Sequence, residues 1–277
     1  MSRNPSARPY DGPIRAVIAD LAGTTVDFGS CAPAGVFVEL FRRRGFAISL
    51  SEARGPMGIH KRDHIRALIS LPHVWEEWRH RYGRNWTDED IHSLYQEFIP
   101  LQLDVLPRFS ELVPGTVATA RYLESRGVPL AVTTGYNRAM LEVVLSSCQE
   151  SGFTPAVSVC ADDVPRGRPA PWMIFRAMEL LGAFPPDAVV CIGDTLADVE
   201  SGRNAGVWTV GVTSTGNLVG MTREEFERLD AAEATALCDC ARAALEKAGC
   251  HYAVRGIGDL PAVLEEIEKR VASHEQP

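Results

Sequence analysis

Two kinds of hydrophobic patterning divide the chain. At residues 16–20, and again from about residue 107 onward, short apolar and largely β-branched runs recur: 129–134, 156–160, 188–192, 207–212 and 251–254. Runs of this length without polar alternation read as strands buried on both faces. Between them lie helical spacings, with Val117, Ala120 and Leu123 closing at Gly127, then residues 140–147 and 172–181. Strands alternating with helices imply right-handed crossovers and a parallel sheet. Residues 28–106 are patterned differently. Pro33 opens a helix whose stripe of Val36, Phe37, Leu40 and Phe41 stops at Gly45, residues 64–69 and 74–82 continue in helical spacing, and Thr87 before Asp88-Glu89-Asp90 is a capped start. Trp75, Trp78 and Trp86 read as packing residues of a helical bundle. The expected fold class is therefore α/β: a Rossmann-like parallel-sheet core from residues 1–27 and 107–277, interrupted after its first strand by an α-helical domain over 28–106.

Composition narrows the function. The 28 basic and 36 acidic residues give a net charge of −8, which disfavours nucleic acid and anionic membrane as partners. Any phosphate site must then be locally basic. Seven irregularly spaced cysteines in 277 residues do not form a disulfide framework, so a reducing cytoplasm is expected. Cys238 and Cys240 splay apart on a helix and read as small apolar residues rather than metal ligands. No apolar run reaches transmembrane length, and polar residues 1–13 read as a frayed tail.

The chemistry-bearing residues gather at strand ends. Asp20 ends the first apolar run and is followed at once by the small residues Leu21-Ala22-Gly23-Thr24-Thr25, which places its carboxylate where open α/β sheets bind ligands. Thr134-Gly135-Tyr136 follows another strand and offers a hydroxyl and backbone N–H groups to phosphate oxygens, or an ordinary turn. Asp194 and Asp198 stand four apart at a strand-to-helix junction. They suit Mg²⁺, with Asp198 free to orient water or Arg168, while the alternative is a helix start capped by Asp194. Arg168 offers a fixed positive charge or is a solvated loop residue, and Arg166 reads as the latter. If a helix begins near Gly58, Lys61 and His64 share a face, and cationic neighbours His60, Arg62 and His64, with partial burial where the helical domain closes over the strand ends, disfavour the ammonium form; the alternative is a basic, solvated helix face.

Read together, Asp20-Leu21-Ala22-Gly23-Thr24-Thr25-Val26-Asp27, Met57-Gly58-Ile59-His60-Lys61-Arg62-Asp63-His64, Thr133-Thr134-Gly135-Tyr136 and Gly167-Arg168-Pro169-Ala170-Pro171-Trp172-Met173 resemble the phosphonoacetaldehyde hydrolases of the haloacid dehalogenase superfamily, from about Ala16 to Leu260. The resemblance implies a cap domain in the helical insertion, Asp20 as nucleophile, and Lys61 as a Schiff-base lysine supported by His64 and Met57. It also implies Mg²⁺ held by Asp20, the Ala22 carbonyl and Asp194, phosphonoacetaldehyde as substrate, and a homodimer formed through the cap. Phosphatases of the superfamily carry Asp-x-Asp where this chain has Asp20-x-Ala22, and so lack here the acid that protonates an ester oxygen. Members of the family often have Trp at Leu21 and an apolar residue at His60. A phosphate-ester phosphatase and a catalytically silent phosphate-binding module are the competing readings.

Overall fold

The computed structural model describes residues 10–277. The tail expected over 1–13 thus lies mostly outside the described residues. Six strands, β1 (Ala16–Asp20), β2 (Leu130–Thr134), β3 (Val157–Cys160), β4 (Val189–Gly193), β5 (Trp208–Val212) and β6 (Tyr252–Val254), form one wholly parallel sheet in the order β3-β2-β1-β4-β5-β6. The strand order reverses between β1 and β4, so a crevice opens beyond the carboxyl ends of these two central strands. Asp20 ends β1 and Gly193 ends β4, and Asp194 is the next residue. β1, β2, β4 and β5 are buried throughout, which explains why apolar runs rather than alternation marked them.

Helices cover both faces of the sheet. Val17, Ala19, Val132, Val190 and Ile192 share a core with α7 (Arg138–Glu150) and α12 (Leu260–Ala272), beside α6 (Thr116–Ser125). On the opposite face, Ala16, Ile18, Ala131 and Cys191 pack against Met173, Ile174, Ala177 and Met178 of α8 (Trp172–Leu181), with α9 (Leu196–Ala205) beside it. α10 (Arg223–Glu227) and α11 (Ala231–Ala248) separate β5 from β6. On α11, Cys238 is buried and Cys240 exposed, as their spacing requires.

Five helices form the insertion between β1 and α6: α1 (Cys31–Arg43), α2 (Leu50–Arg54), α3 (Lys61–Ile69), α4 (Pro72–Tyr82) and α5 (Asp88–Val105). Phe37 and Phe98 stack at 4.5 Å to join α1 to α5, and Trp78 stacks on Phe46 at 5.3 Å. Thr87 caps α5 as expected, and with Asp90 it closes a capping box. One expectation is corrected. The helix bearing Lys61 begins at Lys61 itself, because Gly58 has φ +92° and His60 is the N-cap, its Nδ1 accepting from the Arg62 N–H at 3.0 Å.

Candidate active site

The crevice between β1 and β4 holds three buried carboxylates, those of Asp20, Asp194 and Asp198, each offering an oxygen within 4.8 Å of the others. Backbone geometry brings them together. Gly23, at φ +89°, lies so close that a Cβ would stand 2.3 Å from Asp194 Oδ2, and a Cβ on Gly193 would stand 2.4 Å from Asp198 Cγ. Asp194 is steadied by the Asn217 N–H at 2.7 Å and by the Thr24 hydroxyl at 3.4 Å. Asp198 is the third residue of α9. Its Oδ2 accepts from the N–H and hydroxyl of Thr195, which is the N-cap in place of the considered Asp194.

Arg168 enters from the loop after β3 and joins two of the acids. Its Nη1 lies 2.7 Å from Asp20 Oδ1 and 2.9 Å from Asp198 Oδ1, while its Nη2 donates to the Thr133 hydroxyl at 2.7 Å. Burial works against this cation, yet Asp198 and Asp20 outweigh it and raise its pKa. Burial lifts Asp20 to about 6, with Arg168 opposing. Arg168 pairs with Asp20 and Asp198 rather than with Asp194. Burial, followed by the Asp20 and Asp198 charges, pushes it well above the usual carboxylate range. A buried acidic group with surplus negative charge and only oxygen donors fits a hard divalent cation such as Mg²⁺.

Lys61 reaches the same crevice from the helical insertion. It is 3% exposed, its Nζ is 3.7 Å from Met57 Sδ, and it lies over the rings of Tyr136 (5.3 Å) and Phe37 (5.8 Å). Burial lowers its pKa from 10.5 to about 8, with Asp20 opposing and Arg168 assisting. The expected burial is thus the leading cause, and the cation that assists it is Arg168 of the core rather than the neighbours on its own helix. His64 supplies no charge either: burial, then Lys61, holds it neutral. It stacks on Phe37 at 3.8 Å and its Nε2 lies 2.8 Å from the Ala53 carbonyl, so it braces the ring beside Lys61 rather than meeting the amine.

The structure therefore brings Asp20, Arg168, Asp194, Asp198, Lys61 and Met57 together. Ala22 lies in the loop just after Asp20 and bridges to Val26. Thr134 is buried at the end of β2, where its hydroxyl accepts from the Tyr136 N–H at 3.2 Å. Gly135 admits the insertion: a Cβ there would be 2.5 Å from the Ile59 carbonyl. Arg166 is exposed, as expected. Sequence reasoning missed Thr133, Phe37, Asn217 and Arg54. Of these, Thr133 alone carried a signal, since successive threonines at a strand end send one hydroxyl to each face.

A strand end bearing a buried aspartate at the switch point, with an acidic pair just beyond the neighbouring strand and helices inserted between the first two strands, defines a haloacid dehalogenase-like hydrolase, and the model of that family matches residues 14–206. Phosphonoacetaldehyde hydrolase from Syntrophobacter fumaroxidans is 42% identical over 270 residues, covering 98% of either chain. The one from Bacillus cereus is 40% identical over 257 residues, covering 93% of this chain and 97% of its own. The crystal structure of a phosphonoacetaldehyde hydrolase-like protein from Oleispira antarctica superposes with a TM-score of 0.96 at 36% identity over the full length of both chains. The chain belongs to the phosphonoacetaldehyde hydrolase family.

Proposed function

We propose that this enzyme hydrolyses the carbon–phosphorus bond of phosphonoacetaldehyde to acetaldehyde and phosphate. The observation that carries the reading is the buried Lys61 amine, with its pKa lowered to about 8, facing the same crevice as Asp20 and Arg168. A phosphate ester gives such a lysine no task. An aldehyde does: the neutral amine adds to the carbonyl carbon, water leaves, and a protonated imine forms on Nζ. Asp20 then attacks phosphorus. As the new O–P bond forms, the P–C electron pair passes into the imine and yields an enamine, so no free carbanion leaves. The enamine takes a proton at carbon, water hydrolyses the imine to release acetaldehyde, and a second water clears the phosphoryl group from Asp20.

Ala22 suits this leaving group. A carboxylic acid there could protonate a departing oxygen but not a departing carbon. Arg168 would meet the phosphoryl oxygens while keeping Asp20 aimed through its 2.7 Å contact, and Thr134 and Gly135 would add donors from the end of β2. Asp20, Asp194 and the Ala22 carbonyl would hold Mg²⁺, which when bound offsets charge on the transferring group. Asp198 supports the site through Arg168. Met57 and the Phe37 and Tyr136 rings keep the amine dry, and His64 fixes Phe37.

Residues 28–106 would act as the cap that opens for substrate and closes over the strand ends. The reading extends to a homodimer formed through this cap and to a reducing, cytoplasmic setting; all seven cysteines are unpaired. Acetaldehyde and phosphate released in equal amounts from phosphonoacetaldehyde, and lost on removing Mg²⁺ by chelation, are the expected results. Phosphate release from simple phosphate esters with none from phosphonoacetaldehyde would overturn the reading in favour of a phosphatase.

A further inference from the structure

Arg54, at the end of α2, lies seven residues before Lys61 and outside the crevice, and its guanidinium is spent on the crossing into the insertion, where Nη2 also meets Cys31 Sγ at 3.5 Å, and on the loop after β5. Nη1 donates to the Gly29 carbonyl at 2.7 Å, the Ser30 carbonyl at 3.2 Å and Asn217 Oδ1 at 3.1 Å, and Nη2 donates to the Gly220 carbonyl at 2.8 Å. The contact with Asn217 is reciprocal, because its Nδ2 donates to the Arg54 carbonyl at 3.2 Å. The fit is close: a Cβ on Gly220 would stand 2.7 Å from Arg54 Nε. Asn217 is 6% exposed, and its own backbone N–H is the 2.7 Å donor to Asp194 Oδ2. The same loop is pinned through Thr215, whose hydroxyl donates to the Gly23 carbonyl at 2.7 Å and whose carbonyl accepts from the Gly29 N–H at 2.7 Å.

One side chain thus joins three things: the segment that carries Met57 and Lys61, the Gly29-Ser30 crossing from core to insertion, and the loop that aims an N–H at Asp194. We infer that Arg54 and Asn217 are positioning residues that couple docking of the lysine-bearing segment to the cation-binding carboxylate Asp194. Two bonds in opposite senses between one arginine and one asparagine fix their mutual orientation, so the Asn217 N–H stays on Asp194 only while Arg54 is docked. A coupling of this kind is reciprocal: an ion at Asp194 must in turn favour the docked position of residues 54–61. The inference rests on the proposed Mg²⁺ site.

The test uses the full chain and Mg²⁺ alone. Titration calorimetry should show that Asn217→Ala and Arg54→Lys each weaken Mg²⁺ binding about tenfold, the loss expected when a hydrogen bond to a charged group is removed. The double variant should be no weaker than the poorer single one, because both changes break one link. Backbone amide exchange should slow over residues 54–61 when Mg²⁺ is added to the wild type, and should not respond in Asn217→Ala. A protein merely loosened by mutation would exchange faster with and without the ion. Melting curves identify any variant that fails to fold, and Asn217→Ser, too short to reach Arg54, replaces Asn217→Ala in that event. Wild-type affinity in both single variants, together with undiminished protection by Mg²⁺, overturns the coupling alone. Absence of Mg²⁺ binding in the wild type overturns the metal site and the coupling with it.

Discussion

Replacing Lys61 by methionine should stabilise the fold while ending catalysis. The amine is 3% exposed and its pKa falls from 10.5 to about 8 on folding. A shift of roughly 2.5 units corresponds to about 3 kcal/mol. Because the folded pKa is depressed, the unfolded chain binds more protons between about pH 8 and 10.5, and wild-type stability rises with pH through that window. Below about 8 both states are protonated and the folded state carries the whole penalty. Lys61→Met fills a similar volume against Phe37 and Tyr136 without a charge, so it should gain up to about 3 kcal/mol at pH 7 and almost nothing at pH 10.5. Urea unfolding at the two pH values measures both. A variant no more stable than wild type at pH 7, or a gain independent of pH, would refute the reasoning that burial sets this amine's pKa. The same shift leaves about a tenth of the lysine neutral at pH 7, against about three parts in ten thousand for an ordinary lysine, which is the catalytic return for the lost stability.

Arg168→Met should cost about 3–5 kcal/mol, since Asp20 and Asp198 would remain buried without their shared cation; thermal unfolding checks it, and added Mg²⁺ should restore part of the loss. Gly23→Ala should displace Asp194, because the new Cβ would begin 2.3 Å from Oδ2 at a backbone angle of φ +89° that alone costs roughly 1–2 kcal/mol, and calorimetry should show weaker Mg²⁺ binding. Ala22→Asp should lower turnover of phosphonoacetaldehyde, because its carboxylate adds negative charge beside the phosphoryl group and gives nothing to a carbon leaving group; unchanged steady-state rates would remove the link between Ala22 and carbon departure.

The sheet was legible because its strands are short apolar runs and its chemistry sits at their ends. Asp20, Arg168, Asp194 and Asp198 are separated by up to 178 residues in sequence, and chain order, strand periodicity and the family resemblance together assembled them. The cap was legible as helices, but the environment of Lys61 was not. Its neighbours in sequence are His60, Arg62 and His64, whereas its neighbours in space are Met57, Phe37 and Tyr136, drawn from three segments. Local spacing therefore named the cations of its own helix beside partial burial, whereas burial leads and Arg168 is the cation that assists it. His60 illustrates the same limit: a residue that stood out beside the lysine serves as the cap of its helix. Arg54 was invisible because most of its partners are backbone carbonyls, and Asn217 because it meets Asp194 through its backbone N–H, neither of which a side-chain pattern encodes. Regular helical spacing at Leu264, Ile267 and Val271 was present in the C-terminal region but was not read as α12.

The central claim is an imine on Lys61. Borohydride added during turnover of phosphonoacetaldehyde should reduce that imine to a secondary amine, inactivating the enzyme irreversibly, and mass spectrometry should find the adduct on Lys61. Lys61→Arg keeps a cation but cannot condense, so it should show neither adduct nor turnover while still binding Mg²⁺. An enzyme that survives borohydride in the presence of substrate, an adduct on another lysine, or near-normal turnover by Lys61→Arg would contradict the account.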